Sequence, residues 1–359
     1  MLHPPKNVTK CLISTPAEIA GEYESDDILI THAWPELMTP NARRTLVKPG
    51  PTHRRFLIGC LKTEEVADED RRTGPIPNYH WFGDFLAVCL SVFFGKRFDH
   101  HGLVETQGMF CLPSYDSIRG IGVYNLPPYN SRPRTDLEIE LNLTQLSMIS
   151  ELLHLKADRS AMDTFFTAGN FYLRSLRIIE EQPEIAYVDL VTAGEILSNY
   201  FNYPDEQLLG EALLGLLDEI RNELPHGDKK ANRIRNRLYQ VRRRYRLTLC
   251  NLLNANFFTR TESTHQSAAL RKDEIEPSVL AAYDLRSRYV HTGERFGAWI
   301  HSLEHLHAEK QMGTPVVDDK GYQKVLVRAP TFIGLERIMR YCLLAFIHKE
   351  LGHIDQRLD

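Results

Sequence analysis

YDLRSRYVHTG, residues Tyr283 to Gly293, places an arginine and a histidine where a helix should be apolar. Its flanks define that helix. Glu276-Pro277 puts an acidic residue and a proline in a first helical turn, and Thr292-Gly293 supplies a glycine stop. Val279, Tyr283 and Val290 recur at helical spacing, and Arg286 falls on the same stripe. A guanidinium on a packing face is costly unless it is paired or faces a wet, functional seam. His291 follows five residues after Arg286, in the closing turn. Five residues rotate by about 140° on an α-helix, so the two side chains diverge. A permanent cation beside a group that moves protons near neutral pH is a minimal kit for cleaving a phosphodiester.

Working outward, the chain from 144 to 359 reads as mainly helical. Apolar-periodic segments run Thr144–Leu155, Ala161–Glu181, Ile185–Tyr200 and Asp205–Leu224. The longest expected helix is Lys230–Asn254, with Ile234, Leu238, Val241, Tyr245 and Leu249 as its stripe and arginines elsewhere. PVVDDKGYQKVLV, Pro315–Val327, reads as a small β-hairpin insertion with an Asp-Lys-Gly turn. Leu335–Leu351 is the last expected helix. Residues 1–140 read instead as an α+β domain. His53–Lys62 and Leu103–Pro113 look like strands, and Ile121–Pro128 is a third. An acidic loop, Glu64–Asp70, and a helix, His80–Phe94, lie between the first two. The Pro- and Asn-rich PPYNSRPRTD, Pro127–Asp136, marks the boundary.

With 359 residues, 43% of them hydrophobic, the chain can form two ordinary domains with buried cores. MLHPPKNVTK lacks the apolar centre of a signal peptide, and the longest apolar run, Phe85–Phe94 with one serine inside, is too short to cross a bilayer. Six scattered cysteines show no Cys-x-x-Cys pair, which suits a reducing, cytoplasmic setting without a membrane. Net charge is −4, but Lys229–Arg260 holds ten Lys/Arg and no Asp or Glu. That leaves no acidic i,i+4 partners within the run, so Arg235, Arg242, Arg243, Arg244 and Arg246 are candidates for contacts with RNA phosphates. A solvated helix face is the competing explanation.

Arg286-x4-His291, embedded in Tyr-Asp-Leu-Arg-Ser-x-x-Val-His-x-Gly, resembles the signature of the HEPN superfamily, and more narrowly its Apea-like branch. The resemblance spans the last 200 residues or so and not the first 140. It implies a helical bundle in which two subunits pair, so that both Arg/His sets line one cleft of a metal-independent ribonuclease needing no cofactor. There His291 acts on the ribose 2′-hydroxyl or the leaving oxygen, and Arg286 holds the scissile phosphate. Ser287, after the arginine, is usual in the Apea-like branch; its hydroxyl can bond phosphate or orient the histidine. Where some relatives carry a modifiable tyrosine, this chain has Gly293, so that form of regulation is not expected. Glu195, in an otherwise apolar segment, matches a glutamate typical of the family. It either orients Arg286 or is a boundary residue at the core's edge. The resemblance also implies a role in bacterial toxin or antiphage defence; the amino-terminal domain, which lies outside the resemblance, is expected to sense a trigger or restrain the nuclease by binding a regulatory protein or ligand. The alternative is an inactive HEPN module that dimerises and grips RNA or protein.

Two other constellations compete. RNELPHG, Arg221–Gly227, fits the commoner Arg-Asn-x3-His spelling, but Pro225 disrupts a helical backbone and puts His226 in a loop. His301-x3-His305-x-His307 has metal-like spacing, completed only by Glu304 and Glu309, and no metal is expected there.

Overall fold

The computed structural model describes residues 8–33, 55–63, 79–105, 141–153, 158–235, 238, 240–301 and 307–351. The expected strand at 121–128, the acidic loop at 64–70, the boundary at 127–136 and the end of the strand at 103–113 lie outside the described residues.

An antiparallel sheet organises the first part. Strands β1 (Val8–Thr15), β2 (Ile19–Ala20), β3 (Tyr23–Glu24), β4 (Ile28–His32), β5 (Arg55–Lys62) and β6 (Asp99–Glu105) precede the short β7 (Leu141–Asn142). Five of them pair in the order β3-β4-β5-β1-β6, while β2 pairs with β7 in parallel. The β1–β5 register runs from Val8 opposite Lys62 to Thr15 opposite Arg55. Alternation sends Cys11, Ile13, Ile28, Ile30 and Leu57 to one face, and Val8, Leu12, Leu29, Ile58 and Cys60 to the other. Helix α1 (His80–Phe94) lies on the first face and ends at Gly95, whose φ of 60° suits glycine. Close approach is possible because Gly59 has no side chain: a Cβ there would sit 2.4 Å from Leu86.

The rest is helical, as expected. A 3₁₀ segment (Leu143–Ile149) and one turn (Ser150–Leu153) lead into α2 (Arg159–Ile178) and α3 (Pro183–Tyr200), which Pro183 begins. Then come α4 (Glu211–Glu223), α5 (Gly227–Arg235), α6 (Val241–Leu252), α7 (Ile275–Thr292), α8 (Lys320–Arg328) and α9 (Phe332–Leu351). Among the described residues no helix is long and apolar enough to cross a membrane.

Sheet and helices share one contiguous apolar core, from Cys11 and Phe82 through Phe165 and Leu190 to Phe346. Buried Arg340 of α9 reinforces this: its Nε donates to Val92 O at 2.9 Å and its Nη2 to Phe93 O at 2.5 Å. These are carbonyls that the end of α1 leaves unpaired, so a cation from the last helix caps a helix of the sheet region.

Three expectations change. The hairpin expected at Pro315–Val327 is largely α8: Asp319 accepts from Gly321 N (2.7 Å) and Tyr322 N (3.1 Å), so the supposed turn is an N-cap. Tyr322 and Leu326, four apart, are the buried pair that overrides the β-propensity of Val-Leu-Val. The long basic helix is two helices, α5 and α6, and Gln240 directly before α6 adopts φ 45°, outside helical geometry. Asp205–Leu224 likewise divides, a turn at Asp205–Leu208 being separated from α4 by Gly210 in extended conformation.

Candidate functional site

Helix α7 forms where the sequence places it. Glu276 lies in its first turn, and Gly293 (φ 71°) closes it by donating to Tyr289 O. Its inner stripe packs Val279, Ala282 and Leu285 into the core. Arg286 emerges on the side facing α3 and is half-buried, with 24% of its side chain exposed; its Nη2 donates to Glu195 Oε2 at 3.0 Å. Glu195 is only 14% exposed and also accepts a hydrogen bond from Tyr283, whose ring centroid lies 5.9 Å from the Arg286 guanidinium carbon. Burial pushes the Glu195 carboxyl above its ordinary range, against the opposing pull of Arg286 and the Tyr283 hydroxyl. Arg286 Nε is buried without an acceptor among the described residues. The carboxylate therefore fixes one arm of the fork and leaves donor capacity unused.

What holds Glu195 in place is a contact the sequence reading missed. Gly194 lets the Tyr245 ring of α6 lie directly on α3: a Cβ there would be 2.4 Å from Tyr245 Cε2 and 3.3 Å from the Met339 sulfur. Tyr245 in turn packs against Tyr283, with ring centroids 5.5 Å apart and planes tilted by 50°. An isolated glycine inside an apolar helical segment is the signal for such an approach.

His291 is exposed in the last turn, and Ser287 is half-buried between the two sides. Asp284 and His291 are seven residues apart, so they share a side of α7 about 10 Å apart along the axis. That side faces the cleft between α6 and α8, away from Arg286. Within one subunit the helix therefore separates the Arg286 and His291 directions. Val290, on the Arg286 side, is 54% exposed although it belongs to the expected apolar stripe.

The other nominated arginines are mostly engaged. Arg242 forks onto Asp284 (2.7 and 2.8 Å), and Arg246 bonds Glu276 (2.5 Å). Arg243 donates to Leu208 O at 2.7 Å, Arg235 pairs with Asp205, and Arg244 acts through its field on Tyr203. The run has no internal acidic partners because its partners lie on other elements.

The side of α7 facing α8 is bounded by surface charge. Arg288 Nη2 bonds Asp319 Oδ2 at 2.6 Å, over the Tyr322 ring, and the guanidinium holds the Asp319 carboxyl below its usual range. Between α6, α7 and α8 an open cleft of about 500 Å³ is floored by Pro277, Leu280 and Val325. His226 sits beyond the end of α4 with φ 57°, outside any helix, as Pro225 implies. In the histidine cluster, Glu309 is fully buried and accepts from Thr261, Glu262 N, Leu270 N and Arg337, while His301 stands 3.6 Å from Glu180. Glu304 and His305 lie outside the described residues. Among those described, no cluster of His, Cys, Asp or Glu could hold a metal.

Comparison of the chain with protein-family models, curated proteins and solved structures gives no match.

Proposed function

We propose that the protein is a metal-independent endoribonuclease of the Apea-like HEPN type, acting in the cytoplasm as a homodimer in a toxin or antiphage defence role. The observation that carries this reading is the held guanidinium of Arg286, half-buried on a functional-looking string, oriented by Glu195 and with Nε still lacking an acceptor. The divergence of Arg286 and His291 by about 140° favours a site completed by a second copy. Exposed Val290, beside Arg286, is apolar surface that a partner subunit would cover.

In the proposed reaction the ribose 2′-oxygen attacks phosphorus and the 5′-oxygen leaves, giving a 2′,3′-cyclic phosphate. His291 takes the hydroxyl proton or protonates the leaving oxygen. Arg286 offsets charge gathering on the phosphoryl oxygens, and Ser287 offers a further hydrogen bond. The sheet region shares its core with α2 and α9, which gives a bound regulator a packed route to the helices.

The test is incubation of purified protein with total RNA in EDTA. Wild type cuts and leaves cyclic-phosphate ends, while Arg286→Ala and His291→Ala lose about 10²-fold or more of the rate. Equal cutting by both variants refutes the site. A second reading, a binding module without chemistry, is favoured by the Glu195 contact that already neutralises Arg286. It predicts salt-sensitive RNA retention, no turnover, and no effect of His291→Ala.

A further inference from the structure

Free cations are found outside the basic run as well as within it: Lys229, Lys230 and Arg233 on α5 are exposed without a side-chain partner among the described residues, and so is a row on α8. On α8, Lys320, Lys324 and Arg328 recur at intervals of four, so they form one row with a spacing of about 6 Å. All three are exposed, and none has a side-chain partner among the described residues. On α7 and in the turn before it the acidic groups at the cleft are already matched: Asp284 by Arg242, Glu276 by Arg246 and Asp273 by Arg271. The cleft therefore has charge-balanced walls on α6 and α7 and an uncompensated positive wall on α8.

Helices α7 and α8 run antiparallel. Arg288, late in α7, bonds Asp319 at the start of α8, while Arg328, at the end of α8, shares the cleft with Pro277 near the start of α7. The row on α8 thus borders α7 from the cleft towards the end that carries His291. The cleft floor is apolar, and at about 500 Å³ it holds one small planar group rather than a duplex. At its edge the Arg242 guanidinium is locked in plane by its fork onto Asp284, a ready surface for stacking a base.

We propose that this cleft and the α8 row bind single-stranded RNA, with one unstacked base on the floor beside Arg242 and the backbone along Lys320, Lys324 and Arg328. The proposal rests on the ribonuclease reading for its choice of polyanion, and it assigns the strand-holding surface of that same site. It adds α8 to the phosphate-contacting surface, in place of Arg235, Arg242, Arg243 and Arg246, which are engaged within the fold. The cleft admits single strands and excludes paired ones, since only an unstacked base reaches the floor.

The experiment measures anisotropy of fluorescein-labelled oligouridine with the full-length His291→Ala protein, in EDTA, over a series of salt concentrations. Binding weakens with salt, and the log–log slope falls by about 0.7 for Lys324→Ala and about 1.4 for Lys324→Gln/Arg328→Gln, as expected for single-strand phosphate contacts. Leu280→Trp, which fills the floor, lowers affinity without changing the slope. An unchanged slope in the glutamine pair overturns the proposal even if wild type cuts RNA. Equal affinity for a duplex, or equal competition by polyglutamate, overturns it as well. A reduced slope together with absent cleavage by wild type leaves the proposal standing and removes the ribonuclease reading.

Discussion

On the side of α7 that faces α3 and α6, charge is kept within the protein: Arg286 reaches a carboxylate that is itself mostly buried, over the ring of Tyr283, which packs against Tyr245. On the side that faces α8, His291 is exposed and the Arg288–Asp319 pair is more open to water, with 36% and 50% of the side chains exposed. Arg286 and Arg288 are two positions apart and identical in chemistry, yet their energetics differ because burial multiplies the cost of leaving a partner unpaired. The difference teaches that a motif's residues share a helix without sharing an environment. It also fits a site in which one side grips and the other is open to substrate.

The comparison can be broken most directly at Arg286. Arg286→Ala strands the Glu195 carboxylate and should cost about 1–3 kcal/mol in urea unfolding, less than a fully buried pair because both groups retain some solvent. Adding Glu195→Gln should recover part of that loss; no recovery would mean the pair is not what holds the helix. Gly194→Val should cost a similar amount, about 1–3 kcal/mol, by forcing Tyr245 off α3. Thermal unfolding and the near-ultraviolet tyrosine signal would report it. Arg242→Ala, at a more exposed fork, should cost about 0.2–1 kcal/mol. His291→Ala should change stability by less than about 0.5 kcal/mol while removing cleavage; a large stability loss would place this histidine in a structural role.

Acidity sharpens the contrast further. Glu195 has its folded pKa raised above the ordinary 4.5 by burial, so its contribution to stability is complete below that value and is lost as pH rises through the folded pKa. Wild type should therefore gain on Glu195→Gln as pH falls from 7. Asp319 has its folded pKa lowered from 3.8 by Arg288, so its contribution is present above that value and lost as pH falls through the folded pKa. Wild type should lose its advantage over Asp319→Asn in acid. Urea midpoints between pH 3 and 7 would test both slopes, and slopes of the same sign would defeat the contrast.

Much of the helical framework is legible in the chain. The helix at His80–Phe94 has the bounds its pattern suggests, and the proline and glycine around α7 mark its ends as backbone chemistry requires. The Glu195–Arg286 contact was one of two readings left open by an isolated carboxylate in an apolar segment, and the fold brings the two groups to 3.0 Å. Asp319-Lys320-Gly321 reads as a hairpin turn but is a helix cap, because the two use the same residues. The break at Gln240 had no glycine or proline to announce it. The pairing of the arginine run could not be read locally, since the Arg242 and Arg246 partners are 42 and 30 residues away.

The amino-acid order by itself determined most of the helical segments, though not α8 or the break at Gln240, as well as where α7 stops and that an arginine and a histidine leave that helix in different directions. These follow from backbone preferences and periodicity, which act over a few residues. Only the tertiary structure decided which charges are neutralised and which remain available to a ligand. Electrostatic pairing depends on distance and burial in space, and packing sets both.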